Sequence, residues 1–122
     1  MKLWILLGAL NGFMAVGFGA FAAHGLKARA TPTDLAAFNT GADYHMHHAL
    51  ALLAVGWLAA QAPSPLVTMA GWAFALGILL FSGSLYHLGL TGSRSLVLVT
   101  PMGGTAFLIG WLCLAIAAYR LA

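Results

Sequence analysis

The sequence predicts an all-α membrane protein: a four-transmembrane-helix bundle with a short interfacial helix between spans 1 and 2. Composition is the first reason. Of 122 residues, 62% are hydrophobic and only 6% charged, whereas about a quarter of a soluble domain is charged, so a soluble monomer is excluded. The second reason is the spacing of those few charges, which leaves three charge-free stretches: Leu3 to Leu26, Tyr44 to Ser93 and Ser95 to Tyr119. A helix crosses a bilayer with roughly 20 apolar residues, so each outer stretch holds one span and the middle one holds two. The expectation is a single transmembrane domain over residues 1–122, with spans at about 3–23, 42–60, 66–90 and 96–119. Little is left outside the lipid, which confines any activity to the bundle interior or its two mouths.

Span 1 runs from Leu3 to Ala23 and is expected to stop at His24-Gly25, glycine being the usual helix terminator. Lys2, the apolar run and Ala20-Phe21-Ala22 imitate a secretory signal with its cleavage site. The run is longer than a signal core, so a retained span is expected. Thr31-Pro32-Thr33-Asp34 then reads as a helix start, with Thr31 capping, Pro32 in the first position and Asp34 closing a capping box. Leu35 and Phe38 share a face, which predicts a short helix from Pro32 to about Asn39 lying on the membrane, apolar side down. Span 2, about Ala42 to Ala60, ends at Gln61-Ala62-Pro63-Ser64-Pro65, because closely spaced prolines cannot continue a helix. Span 3 covers about Leu66 to Leu90, and Thr91-Gly92-Ser93-Arg94 turns the chain into span 4, Leu96 to Tyr119.

Four spans put both termini on one side. Trp4, Trp57, Trp72 and Trp111 then fall in the terminal half, the first three near span ends as interfacial aromatics, and all five histidines gather at the opposite mouth. Lys27, Arg29 and Arg94 at the histidine mouth outnumber Lys2 and Arg120, which places that mouth in the cytoplasm by the positive-inside rule. These scattered cations account for the net charge of +3 and form no nucleic-acid patch. The lone cysteine, Cys113, sits mid-span, which excludes an intrachain disulfide and two-pair thiol exchange. Small residues in Gly8-x-x-x-Gly12, Gly71-x-x-x-Ala75 and Gly103-Gly104 permit close helix approach. They are read first as packing within one bundle, while the wide lipid-facing surface leaves a homo-oligomer expected as well.

The polar residues converge. Asp43, Tyr44, His45, His47 and His48 crowd the first turns of span 2, and His24 and His87 end spans 1 and 3 at the same level. Helical spacing puts Tyr44 and His48 on one face, with His45 close to it and His47 elsewhere. Tyr86 and Thr100 adjoin the same mouth. Because polar groups in lipid are costly and turn inward, His24, Tyr44, His48, Tyr86 and Thr100 form the candidate ligand site or polar network. The same groups also suit a purely structural network tying helix ends together. A transition-metal site from His24, His48, His87 and either His45 or Asp43 has acceptable ligand chemistry but no compact motif. Nothing specifies a haem pocket, and no cofactor is named by the sequence.

Other mechanisms are struck out. Spans 1, 3 and 4 hold no acidic residue, which disfavours proton-coupled export through a mid-membrane carboxylate. With Asp34 and Asp43 the only carboxylates, no paired-carboxylate site or serine-histidine-acid triad appears, and an enzyme is the less favoured reading. Asn11, the strongly polar residue deep in span 1, is read as a packing group.

Four motifs occur in order: Gly19-Ala20-Phe21-Ala22-Ala23-His24-Gly25-Leu26; Tyr44 with His48-Ala49-Leu50-Ala51-Leu52; Phe81-Ser82-Gly83-Ser84-Leu85-Tyr86; and Thr100-Pro101-Met102-Gly103-Gly104 with Gly110-Trp111. In these the chain resembles the small membrane proteins of domain of unknown function family 423, to which animal transmembrane protein 256 is related. The resemblance implies a four-span bacterial inner-membrane protein without an assigned activity. In the family pattern position 45 is usually glutamine, 47 aromatic and 87 aliphatic, which leaves His24 and His48 as the family-like histidines. The favoured function is a non-enzymatic membrane protein whose His/Tyr mouth binds a small ligand, a lipid headgroup or a quinone. The alternatives are an oligomeric proton or metal-ion pathway, which needs a continuous polar route, and a purely structural membrane protein.

Overall fold

A computed structural model of the chain describes residues 1–121. Helix α1 spans Lys2–Phe21 and runs on through a π-helical turn, Ala22–Leu26. Helix α2, Pro32–Gln61, is the longest at 30 residues. A second π turn, Ile78–Ser82, joins helix α3, Pro65–Gly77, to helix α4, Gly83–Thr91, and helix α5 is Val99–Tyr119. No strand occurs among the described residues.

Three of the resulting rods are long and apolar enough to cross a membrane: Lys2–Leu26, Pro65–Thr91 and Val99–Tyr119. Helix α2 has the length but not the composition, because Asp43, Tyr44 and three histidines interrupt its apolar sequence. The separate interfacial helix is not found. The Thr31 hydroxyl does cap Pro32–Asp34, accepting from the Asp34 N–H at 3.2 Å. From there the helix continues unbroken, since Gly41 stays helical and packs against Leu85, Tyr86 and the Ser82 carbonyl. Phe38, expected to lie on the membrane, is instead buried with Ala22 and Leu26 against Tyr86. A helix that begins at Pro32 puts its histidines near mid-length, not in the first turns. That shift rearranges the expected site.

Two other boundaries differ. Gly25 does not stop helix α1, because it keeps right-handed dihedrals and the rod closes with Ala30 N–H bonding the Leu26 carbonyl. The described glycine with positive φ is Gly92 at +71°, which ends helix α4 with its N–H on the Leu88 carbonyl. Helix α5 starts at Val99, three residues later than expected, after a short turn.

Packing is pairwise. Helix α1 lies along α2, and α3 along α5, while α2 also meets α3 and α4 and so joins the pairs. The small-residue rows lie at these seams: Gly8 faces Leu53 and the Ala49 carbonyl, Gly71 lies under the Trp4 ring, and Gly103 abuts the Phe81 backbone. Trp4, expected at the interface, is 5% exposed and edge-on to Trp72 at 5.1 Å. Glycine at position 71 leaves room for that indole. The main core consists of Trp4, Leu52, Val55, Phe74, Phe107 and their neighbours.

Candidate functional site

His45 and His48 stand three apart on helix α2 and serve different sides of the bundle. His45, 3% exposed, joins three helices: its Nδ1 is 2.7 Å from Tyr86 Oη and its Nε2 2.8 Å from Asn11 Oδ1. Asn11 in turn donates from Nδ2 to the Leu7 carbonyl at 2.8 Å. A carbonyl only accepts, so this last bond orients the asparagine with Oδ1 toward His45. His45 Nε2 must then carry the proton, and its Nδ1 must accept from the Tyr86 hydroxyl. The network dictates one direction throughout, from Tyr86 through His45 and Asn11 to Leu7.

This trio lines a crevice of about 360 Å³ whose other walls are Leu7, Met14, Phe18, Ala75, Ile78, Leu79 and Gly83. Leu79 is 70% exposed, and Met14 and Phe18 are also exposed on helices apolar enough to lie in a membrane. The crevice therefore opens sideways to lipid, between α1 and the α3/α4 rod. The second π turn lies at its wall. A π turn takes in one more residue than an α turn and rotates the helix beyond it. Ser82 in that turn bonds the Gly41 carbonyl at 2.8 Å, clamping α4 to α2 where Tyr86 meets His45.

His48 faces helix α5. Its Nδ1–H donates to the Tyr44 carbonyl one turn back at 2.7 Å, and its Nε2 accepts from Trp111 Nε1–H at 3.0 Å. The ring stacks on Phe107 with centroids 3.5 Å apart and planes 5° from parallel. Both nitrogens are occupied.

The expected site thus divides. Tyr44 and His48 adjoin as their spacing implied, with rings 6.1 Å apart. Tyr86 belongs to His45 instead, and Thr100 shares a hydrogen bond with Ser84 between helices α5 and α4. His24 is exposed on the first π turn and hydrogen-bonds to neither group. Of the metal candidates, His45 and His48 already use both ring nitrogens, Asp43 is exposed, and His87 is half-buried with Nδ1 shielded and unpartnered among the described residues. Among the described residues no three His, Cys, Asp or Glu side chains converge as metal ligands would. The sequence reading placed Asn11 and Trp111 outside the site. One signal for both is that a polar group deep in a span needs a partner at its own depth.

The family model described as "Protein of unknown function (DUF423)" matches residues 18–104, which carry His45, His48, Tyr86 and both π turns. The chain belongs to this family. The chain is 47% identical to the UPF0382 membrane protein YwdK of Bacillus subtilis (strain 168), over 98% of each chain. A UPF0382 membrane protein of Haemophilus influenzae is 44% identical, covering 96% of this chain and 94% of its own. One from Staphylococcus epidermidis (strain ATCC 12228) is 48% identical over 100% and 99%. No solved structure matches the chain significantly. With its apolar rods, this DUF423 member is an integral membrane protein of the helical type. The family model begins at residue 18, so Asn11, the third member of the trio, lies outside the matched segment.

Proposed function

We infer that this protein crosses the bacterial plasma membrane four times as one domain and binds a membrane-soluble amphiphile in the crevice beside α1. The observation that carries this reading is a hydrogen-bonded trio, buried His45 with half-buried Asn11 and Tyr86, lining an apolar crevice with a lipid-facing opening. Ligand sites typically set a few convergent polar groups in such a wall. Helix α2 supplies the fourth span: its 30 residues reach about 45 Å at 1.5 Å per residue. His45 and His48 have both ring nitrogens hydrogen-bonded inside the protein, which keeps them from lipid, while His47 is exposed on the outer face of the helix. The small-residue rows are occupied within the chain, and oligomerisation is no part of this reading.

Gly83 offers a direct test, because a Cβ added there meets nothing within 4 Å and the residue lines the crevice. Gly83→Leu should fill the space without disturbing the fold. Native mass spectrometry of gently extracted protein should find a bound amphiphile on the wild type and its loss from Gly83→Leu. Equal occupancy of both, or no bound species on the wild type, would reject the reading.

A further inference from the structure

The direction of the hydrogen-bond relay fixes what Tyr86 can offer to the crevice. Tyr86 gives its only hydroxyl proton to His45 Nδ1, and that proton cannot be turned outward without leaving a buried ring nitrogen unpaired. Reversing the relay would require the Asn11 oxygen to face the Leu7 carbonyl, two acceptors at 2.8 Å. What Tyr86 still offers is the lone-pair capacity of Oη, an acceptor. The walls around it, Met14, Phe18, Ile78 and Leu79, hold no charge, so an ionised headgroup finds no counter-charge there.

We propose that the crevice selects an uncharged lipid alcohol, an amphiphile whose hydroxyl donates to Tyr86 Oη while its chain leaves sideways past Leu79. This rests on the crevice being a binding site and adds the polarity of its ligand. A ketone or ether of the same shape can accept from the second Nδ2–H of Asn11 but carries no donor, and so leaves the Tyr86 acceptor unmet, whereas an alcohol can serve both. Loss of one such bond corresponds to about a tenfold weaker affinity.

The test uses the full chain in nanodiscs and a diazirine-bearing hexadecanol, with crosslinks mapped to the crevice walls by mass spectrometry. Hexadecanol and hexadecyl methyl ether compete at matched mole fractions in the bilayer. Hexadecanol should displace the probe about tenfold more effectively than the ether. Tyr86→Phe, which keeps the ring packed on Phe18 and Phe38, should still be labelled and should lose that preference. Equal competition in the wild type, or an undiminished preference in a folded Tyr86→Phe, overturns the proposal while leaving a binding crevice intact. Absence of saturable labelling at the crevice, with this probe and with a diazirine hexadecane, rejects the crevice as a site altogether. Should Tyr86→Phe fail to fold, the wild-type ratio alone decides.

Discussion

His48 is held by two hydrogen bonds and by a ring lying flat on Phe107. Trp111→Phe removes one of those bonds while keeping an aromatic body. It should cost about 1 kcal/mol, the usual range for a hydrogen bond between membrane helices, in equilibrium unfolding of the detergent-solubilised protein. A double-mutant cycle with His48→Phe should return a coupling of similar size; zero coupling would mean that the bond adds no stability. The pairing of Tyr44 with His48 was legible in the sequence because a four-residue step repeats a helix face. The partners of His45 were not. Periodicity shows which residues share a face, but α2 is packed from several directions, and two histidines three apart reach α1 and α4 on one side and α5 on the other. Asn11 carried a visible hint in its depth, and only the observed packing of α1 on α2 supplies its partner.

Among the elements, the glycines divide sharply by surroundings. A Cβ at Gly103 would drive into the backbone of Phe81 at the π turn, whereas one at Gly17 or Gly19 meets nothing within 4 Å. Gly103→Ala should therefore destabilise by about 1–3 kcal/mol, the ordinary cost of overpacking, and Gly17→Ala should be neutral or slightly stabilising. Similar unfolding midpoints for the two variants would contradict the close approach of α5 to the second π turn. The helix start at Pro32 was legible because its chemistry is local: Thr31 accepts from an N–H three residues on. Ser64 does the same ahead of Pro65, where the sequence reads only as a break. The continuous run through Thr40-Gly41 and the two π turns were not legible, since at Gly41 the helix carries the close approach of α4 and the second π turn. A local pattern cannot report a distant neighbour.

For the molecule as a whole, the charge-free lengths led to the membrane-spanning rods, and the number of crossings turns on helix α2. Four crossings require both chain ends on one face. Single cysteines at positions 2 and 120, in a Cys113→Ser background, should react with an impermeant maleimide from the same side of the membrane. Labelling from opposite sides would give an odd count and remove α2 as a span. The pairwise packing has a further consequence for how the chain is assembled. Residues 1–61 hold α1 with its one extensive partner, α2, while residues 65–119 hold α3 packed along α5, and α4, which packs chiefly on α2. Between these halves run the bonds His45 to Tyr86, Ser82 to Gly41 and Trp111 to His48. Each half thus has its own helix pair, and the two join through the packing of α2 on α3 and α4, to which the directional bonds add a register. A chain emerging from the ribosome can complete its first hairpin before the second half exists, then dock the two like parts of a split protein. Halves severed between Ala62 and Ser64 and co-expressed should insert separately and co-purify. Co-purification should weaken when Tyr86→Phe, Trp111→Phe and Ser82→Ala are combined, because the apolar packing of α2 on α3 and α4 would then hold the halves without these directional bonds.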